Sequence, residues 1–175
     1  MEVQSRRALR ARLSMRFSVD TNVLVYAAVR QSGPKHLMAI DVMRRASGRD
    51  CVVTLQALGE AFRILLVKYK VPSAGAAARV DEWRSAMPVV AADETCLIDA
   101  MDAVSGHGWS FWDAMMWATA KRAGCRLLLS EDGDDGRTLG GVTLVNPFAS
   151  PRSPLLTQAL GAVPARARRP RGGAR

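Results

Sequence analysis

The sequence predicts a single α/β domain built around a small parallel sheet, and three observations favour this fold class. The chain has 175 residues, of which 49% are hydrophobic, so it is long enough for one domain with a proper core. Short apolar segments of strand length alternate along the chain with longer segments of helical periodicity. Strands that alternate with helices are typical of a parallel sheet with crossover helices. The sequence contains no internal repeat that would indicate a different architecture.

The first half of the chain contains two strand–helix units. The first predicted strand covers residues 16–19, and Asp20 after it is an N-cap signal for a helix over residues 23–29. A loop and a second helix, which ends near Gly48, lead to a second strand at residues 51–54. The next helix is clearly amphipathic, because its apolar residues recur every three or four positions: Leu55, Leu58, Phe62, Leu65, Leu66 and Tyr69.

The second half continues the alternation. Two helices with a short strand between them come first, over residues 74–86, 87–91 and 94–105. The next helix begins at Ser110, which forms a capping-box pattern with Asp113, and it ends before Gly124. Two apolar strands then lie on either side of an acidic loop, over residues 126–129, 130–136 and 142–145.

The net charge of +9 lies at the two ends of the chain and gives no basic face to the predicted domain. Residues 1–15 hold four arginines and one glutamate, residues 149–175 hold six arginines and no acid, and residues 16–148 hold 15 basic and 15 acidic residues. We therefore predict a domain over residues 15–148. A disordered basic extension at residues 1–14 precedes it, and a disordered tail rich in Arg, Pro and Ala begins at residue 149.

Two other classes of protein are excluded by the sequence. The longest unbroken apolar run, residues 23–29, is far shorter than the roughly 20 residues that a transmembrane helix needs. The three cysteines and two histidines are too few and too widely spaced for a zinc site or a disulfide scaffold. Sparse free cysteines are typical of a reducing cytosol, so we predict a cytoplasmic protein that does not interact with membranes.

Acidic residues lie at the end of the predicted strands where α/β proteins bind their ligands. Asp20 follows the first strand, Asp132 follows the strand at residues 126–129, and Asp113 begins the helix before that strand. Glu60 lies close to the apolar stripe of its helix, where a carboxylate without a partner is costly. A divalent cation relieves the repulsion between such acids, and oxygen ligands without His or Cys select Mg²⁺ or Mn²⁺. A site of this kind activates water for attack on a phosphodiester.

Each of these residues also has a purely structural interpretation. Asp20 could be only a helix cap, Asp113 only half of a capping box, and Glu60 a surface residue. Asp132 belongs to an acidic loop, and such loops are usually solvated turns. Three more acids of this loop could join or replace it in a metal site: Glu131, Asp134 and Asp135. The placement of all four acids at one edge of the predicted sheet favours the functional interpretation.

The segments that contain these acids resemble PIN domains. Residues 17–27, Phe-Ser-Val-Asp-Thr-Asn-Val-Leu-Val-Tyr-Ala, are similar to the opening of that family, and residues 110–114 are similar to its third acidic motif. Residues 129–132 and 141–148 resemble the ending of the toxin branch, VapC. The resemblance covers about residues 15–148, and its most specific part is the ordered set of four acids with the Val-Asn-Pro-Phe ending.

The resemblance implies a three-layer α/β/α domain with a parallel sheet of four or five strands flanked by helices. It also implies a Mg²⁺- or Mn²⁺-dependent endoribonuclease, a toxin that a VapB-type antitoxin neutralises. The expected assemblies are a homodimer and, with antitoxin, a heterotetramer or larger complex. The catalytic and metal-binding acids of the family fall on Asp20, Glu60, Asp113 and Asp132. Asn22 and Ser130 fall on polar positions that help to hold the metal or its waters.

Two other functions remain alternatives. A phosphoryl-transfer enzyme of the haloacid dehalogenase type also begins from an Asp after the first strand. Its chemistry needs a second Asp two positions later, where this chain has Asn22. The second alternative is a catalytically silent module that binds RNA or a protein.

Binding of RNA requires basic residues, because contacts to phosphate dominate affinity. Six basic residues of the predicted domain are candidates, although each is more often part of a solvated helix face: Arg63, Lys68, Lys70, Lys121, Arg122 and Arg137. Among the tryptophans, Trp117 is predicted to lie in the core. Trp109 and Trp112 flank the start of the helix that carries Asp113, where packing is favoured over stacking on RNA bases.

Overall fold

The computed structural model describes residues 15–161, and the predictions made for residues 1–14 and 162–175 lie outside this range. Within it, six strands form one sheet in the order β3-β2-β1-β4-β6-β5. The strands are β1 (Phe17–Val19), β2 (Cys51–Thr54), β3 (Val89–Val90), β4 (Leu127–Leu129), β5 (Thr138–Leu139) and β6 (Val142–Val145).

Five neighbouring strands of the sheet are parallel. Strand β1 pairs with both β2 and β4, so Phe17 lies between Cys51 on one side and Leu127 on the other. Strand β3 extends the sheet beyond β2, and β6 extends it beyond β4. Strand β5 runs antiparallel to β6 and forms a hairpin with it. The expected parallel sheet of four or five strands is confirmed, and the hairpin strand adds a sixth.

Seven helices of the described range flank the sheet. They are α1 (Thr21–Ala28), α2 (Pro34–Ala46), α3 (Leu55–Val67), α4 (Ser73–Ala86), α5 (Glu94–His107), α6 (Phe111–Arg122) and α7 (Pro154–Leu160). A 3₁₀ turn at Arg30–Ser32 occupies part of the predicted loop between α1 and α2. None of the helices between residues 15 and 161 has the length and apolar character to cross a membrane.

Helices cover both faces of the sheet. Every residue of β1, β2 and β4 is buried, as expected for parallel strands with helices on both sides. On β2, Val53 belongs to the main core, whereas its neighbour Val52 packs against Ala120 of α6 on the opposite face. Trp117 is buried in the main core, as predicted. The architecture is therefore the expected three-layer α/β/α domain.

The predicted C-terminal boundary at residue 148 is wrong. Residues 154–160 form α7, which begins after the capping residue Ser153 and packs against α2. Its buried side chains are Leu156, Ala159 and Leu160. Arg45 of α2 also donates hydrogen bonds to the backbone carbonyls of Leu160 and Gly161. The abundance of Pro, Ala, Gly and Arg after Ser150 concealed a short apolar helix face, which is enough to extend the fold.

This packing makes Leu156 a structural residue. Leu156→Ala is expected to destabilise the protein by about 2–5 kcal/mol, because it removes a fully buried side chain and leaves a cavity. Gln158→Ala, on the exposed face of the same helix, is expected to change stability by less than about 0.5 kcal/mol. Urea unfolding followed by circular dichroism measures both changes. Similar small effects of the two substitutions would contradict the packing of α7 on the domain.

Candidate active site

The candidate site lies where the chain order of the sheet reverses. Strand β1 leads to β2 on one side, whereas its other neighbour, β4, comes much later in the chain. Ligands of open α/β sheets bind at the carboxyl ends of the strands beside such a switch point. Here Asp20 directly follows β1, and Ser130 directly follows β4. The backbone N–H of Asp20 donates to the carbonyl of Leu129 over 2.9 Å, so the two strand ends are held side by side.

Ser130 links two of the predicted acids. Its hydroxyl donates to the Oδ2 atom of Asp20 over 2.7 Å, and it accepts the backbone N–H of Asp132 over 3.0 Å. Asn22, on the first turn of α1, donates its side-chain amide to Oδ2 of Asp132 over 2.7 Å. Asp20 is buried at the N-terminus of α1, and its side chain makes no capping hydrogen bond. Asp20 therefore lacks the capping contact of its structural interpretation.

Asp113 reaches the same cleft from α6. Ser110 is the N-cap of this helix, and its hydroxyl accepts the backbone N–H of Asp113 over 3.3 Å. The same hydroxyl donates to Oδ2 of Asp113 over 2.6 Å, which fixes the carboxylate at the start of the helix. Ser110 thus caps the helix as predicted and also orients the acid. The other carboxylate oxygen, Oδ1, receives no hydrogen bond from this cap.

A cavity of about 180 Å³ separates the strand ends from the turn between α5 and α6. Three of the four predicted acids line it, namely Asp20, Asp113 and Asp132. Its other lining residues are Gly108, Trp109, Ser110, Met116, Leu128, Ser130, Gly133, Asp134, Arg137 and Leu144. The cleft therefore combines an acidic end with an apolar wall.

Asp20 is buried and lies close to two exposed acids of the cleft, Asp113 and Asp132, which repel it. Burial, together with the charges of Asp132 and Asp113, raises the pKa of Asp20 to about 7, although the hydrogen bond from Ser130 opposes the rise. Burial and the charges of Asp113 and Glu131 also raise the pKa of Asp132, against the hydrogen bond from Asn22. Carboxyl groups that are perturbed in this way and share a cleft are typical of functional sites.

Glu60 lies beside the cleft and does not line the cavity. Its Oε2 atom accepts the hydroxyl of Thr21 over 2.8 Å, and its Oε1 atom accepts the side-chain amide of Gln56 over 2.9 Å. The expectation that this carboxylate has partners near the apolar stripe of α3 is confirmed. Since Thr21 directly follows Asp20, Glu60 is connected to the acidic cluster through one hydrogen bond and one peptide unit.

Comparison with known proteins identifies the family. Residues 18–138, well over half of the chain, match the sequence model of the PIN domain. This chain belongs to the PIN domain family. The comparison with curated proteins gives no match.

Three solved structures share the fold of this PIN domain. VapC20 of Mycobacterium tuberculosis, described as a toxin that cleaves the sarcin-ricin loop, has a TM-score of 0.54 and 18% identity over 67% of this chain and 91% of its own. A toxin–antitoxin complex from Klebsiella pneumoniae has a TM-score of 0.54 and 18% identity, with 75% and 97% covered. VapBC2 of Rickettsia felis, bound to a DNA fragment from its promoter, has a TM-score of 0.55 and 12% identity, with 74% and 97% covered. At these identities the likeness shows the fold alone.

The geometry of the PIN domain distinguishes Asp132 from the acids beside it. Glu131 accepts hydrogen bonds from the hydroxyl of Tyr26 and the ammonium of Lys35, so both of its oxygens are engaged away from the cavity. Oδ1 of Asp135 accepts the backbone N–H of Asn146 over 2.8 Å. These contacts favour Asp132 over Glu131 and Asp135 as the acid of this loop that serves the site, whereas Asp134 lines the cavity together with Asp132.

The basic and aromatic residues that the sequence suggests for RNA binding differ in their contacts and in their distance from the cavity. Lys121 pairs with Asp99 and Arg122 pairs with Asp93, and neither basic residue lines the cavity, whereas Arg137 does. Trp109 packs edge-on against Trp117, with 5.7 Å between ring centroids. Trp112 is 62% exposed, and its ring contacts that of Phe111 edge-on, with 5.1 Å between ring centroids.

Two polar residues support the site in a way that the sequence does not indicate, namely Thr21 and Gln56. Gln56 lies four positions before Glu60, which is a helical spacing that brings side chains together and could have been recognised. The contact between Thr21 and Glu60 joins residues 39 positions apart, so no local pattern could have indicated it.

The donor set of the PIN domain fits a small hard cation. The acidic end of the cleft offers only oxygen ligands, from Asp20, Asp113, Asp132 and the hydroxyl of Ser130. Within residues 15–161, no three His, Cys, Asp or Glu side chains stand close enough to hold a metal ion together. Mg²⁺ commonly uses one or two carboxylates and keeps several waters, so it does not require three. The raised pKa of Asp20 marks the position where a cation would relieve most electrostatic strain.

The burial of Asp20 predicts a stability effect that depends on pH. Because the pKa of the folded state is raised to about 7, ionisation of Asp20 costs stability, and this cost grows as the pH rises from about 4 to about 7. Asp20→Asn is therefore expected to stabilise the protein in EDTA at pH 7.5 by about 2–4 kcal/mol, and the gain is expected to shrink toward pH 4.

Thermal unfolding in EDTA across this pH range measures the effect. Asp81→Asn, on the exposed surface of α4, is the control for removal of a carboxylate from an unburied position. A loss of stability in Asp20→Asn at pH 7.5, or a gain that is the same at pH 4 and pH 7.5, would contradict the electrostatic account of the cleft.

Proposed function

We propose that this PIN domain is an endoribonuclease that hydrolyses phosphodiester bonds in RNA with the help of Mg²⁺ or Mn²⁺. The observation that carries the proposal is the buried carboxylate of Asp20, which shares one cleft with Asp113 and Asp132 at the switch point of the sheet. The cleft is lined by no His or Cys residue in the described part of the chain. Its oxygen donors suit the cations that nucleases use for attack on phosphate.

In this proposal Asp20 and Asp113 are the primary metal ligands, and Asp132 orients the water molecules that surround the metal. A bound Mg²⁺ or Mn²⁺ supplies an activated water and offsets the charge that develops on the phosphate. Each acid is oriented by a neutral donor: Ser130 holds Asp20, Ser110 holds Asp113 and Asn22 holds Asp132. Such outer partners fix the ligand oxygens in the direction that the metal requires.

Glu60 has a different role in this proposal. Both of its oxygens accept hydrogen bonds, from Thr21 and Gln56, and it does not line the cavity. We therefore propose that it orients the site through Thr21 at the start of α1. Gln56 also donates to the backbone carbonyl of Trp112 over 3.0 Å, so the same network ties α3 to the start of α6, which carries Asp113.

The biological role that we propose is that of a toxin in a toxin–antitoxin pair. This rests on the fold, which is shared with the VapC20 toxin and with two toxin–antitoxin complexes. A VapB-type antitoxin is the proposed partner, and RNA in the cytoplasm is the proposed substrate. We expect the toxin to form a homodimer that assembles with antitoxin into a heterotetramer or larger complex.

Cleavage of a total-RNA pool tests the catalytic proposal. Purified, antitoxin-free protein is expected to produce discrete fragments with Mg²⁺ or Mn²⁺ and none with EDTA. Asp113→Asn is expected to lower the rate by at least about 100-fold, because it removes a charge from the proposed metal site while keeping the shape of the side chain.

Glu60→Gln is the matched comparison, since it makes the same carboxylate-to-amide change outside the cavity. It is expected to lose less activity than Asp113→Asn, because an amide oxygen can still accept the hydroxyl of Thr21. Folded protein that cleaves no RNA with either metal would contradict the ribonuclease proposal and would favour the silent binding module. Equal losses for the two variants would instead make Glu60 a direct ligand.

A further inference from the structure

Arg137 brings a positive charge to the acidic cleft. Of the residues that line the cavity in the described part of the chain, it alone is basic. Its backbone N–H donates to the carbonyl of Asp134 over 3.0 Å, and its carbonyl accepts the N–H of Leu144 over 2.9 Å. The base of the side chain is therefore fixed against β6, next to the loop that carries Asp132.

The guanidinium group of Arg137 contacts both sides of the cleft. Its central carbon lies 5.5 Å from the centroid of the Trp109 ring, and one of its nitrogens donates to the carbonyl of His107 over 3.4 Å. His107 is the last residue of α5, and Trp109 lies in the turn between α5 and α6. Another nitrogen lies 3.5 Å from the carboxylate of Asp134, on the opposite side. The guanidinium of Arg137 therefore lines the cavity between the start of the α5–α6 turn and the loop after β4.

These contacts hold the guanidinium loosely. The hydrogen bond to His107 is long, and the carboxylate of Asp134 is 80% exposed, so solvent screens this ion pair. Arg45 of the same protein, by contrast, is held in place by buried contacts. Its side chain is 9% exposed, lies 3.1 Å from Asp41 and donates to the carbonyls that end α7. Arg137 has no comparable set of buried partners among the described residues.

We propose that Arg137 binds a backbone phosphate of the RNA substrate next to the bond that is cut, and this inference rests on the proposed ribonuclease function. A cleft lined by four carboxylates, those of Asp20, Asp113, Asp132 and Asp134, repels a polyanion, so a phosphate that enters it needs a nearby cation. A guanidinium binds phosphate through two parallel hydrogen bonds and keeps its charge at any physiological pH. Trp109 supports the guanidinium by a cation–π contact, and Asp134 is the counter-ion that the phosphate displaces.

The chain provides a closely matched control for this proposal. Arg84 and Asp81 on α4 have the same spacing in sequence as Arg137 and Asp134, and they form an exposed ion pair at 3.1 Å that does not line the cavity. Arg84→Gln and Asp81→Asn therefore remove the same charges from an exposed pair without altering the cleft. Comparison of the two pairs separates a local contact from the general effect of protein charge on RNA binding.

The test measures binding of a fluorescein-labelled, short single-stranded RNA of mixed sequence in a KCl series with Mn²⁺. The full-length chain carries Asp113→Asn, so that the RNA is not cut. Arg137→Gln is expected to weaken binding roughly 10-fold and to reduce the slope of log K against log[KCl] by about 0.7, as for one lost phosphate contact. Arg84→Gln is expected to leave both quantities nearly unchanged. The RNA affinity of Arg137→Lys is expected to lie between that of Arg137 and that of Arg137→Gln. Lys keeps the positive charge but cannot make the two parallel hydrogen bonds of a guanidinium.

Asp134→Asn distinguishes a substrate contact from a structural ion pair. If Asp134 competes with phosphate for Arg137, its removal is expected to tighten RNA binding by more than Asp81→Asn does, and this extra gain is expected to vanish in the Arg137→Gln background. If the pair only holds the loop, Asp134→Asn and Arg137→Gln weaken binding together, which would overturn the proposal. Equal affinities and salt slopes for Arg137→Gln and Arg84→Gln would overturn it as well.

The role of Arg137 and the ribonuclease function are tested by different measurements. RNA cleavage by the wild-type chain without any effect of Arg137→Gln on binding refutes the role of Arg137 and leaves the ribonuclease proposal intact. Absence of metal-dependent cleavage by the folded wild-type chain refutes the ribonuclease proposal and, with it, the phosphate contact.

Discussion

Burial of an ionisable carboxylate at the end of a central strand is the constraint on which the rest of this site depends. Asp20 follows β1, which is covered on both faces, and only 6% of the residue is exposed. A protein gains no stability from placing a second and a third acid nearby, yet Asp113 and Asp132 line the same cleft. The arrangement is unfavourable until a positive charge enters, which is the property expected of a site that recruits a cation and a phosphate.

The fold provides the rigidity that this arrangement requires. Three acids of the cleft, Asp20, Asp113 and Asp132, lie in the first turn of a helix or after a strand. Each of these three accepts a hydrogen bond from a Ser or Asn side chain. The loop after β4 is fixed from its other side by Glu131, which accepts from Tyr26 and Lys35. The Lys35 ammonium lies 5.2 Å from the ring centroid of Tyr26 and 5.7 Å from that of Phe148. The residue before Asp132 therefore anchors the loop, and this leaves Asp132 to face the cleft.

Most of the fold and part of the site could be predicted from the sequence, because both depend on local patterns. The apolar strands and the Ser110–Asp113 capping pattern are short-range signals, and they placed Asp20 and Asp113 at the correct edge of the sheet. The helix α7 was missed because its three buried residues lie in a segment whose overall composition is that of a tail. The predicted helix that ends near Gly48 corresponds to α2, in which Leu37 is 73% exposed and the buried face is formed by Ala39, Val42, Met43 and Ala46.

The remaining features of the site depend on contacts between distant residues. The sequence showed that Glu60 needed a partner but could not show that Thr21 supplies one. It also gave six basic candidates of equal weight, whereas the hairpin of β5 and β6 places Arg137 at the cleft and the ion pairs with Asp93 and Asp99 engage Arg122 and Lys121 elsewhere. Side-chain direction in these cases follows from strand register and helix packing, which no single segment encodes.

We propose that the cleft between β1, β4 and α6 binds a divalent cation through its carboxylates. Anomalous diffraction from crystals of the protein soaked in Mn²⁺ would locate this cation. We expect one strong peak in contact with the carboxylate of Asp20 and with Asp113 or Asp132, with Glu60 still bonded to Thr21. A peak held by Glu131 or by Glu60 instead, or a cleft without manganese in crystals soaked at saturating concentration, would contradict the account.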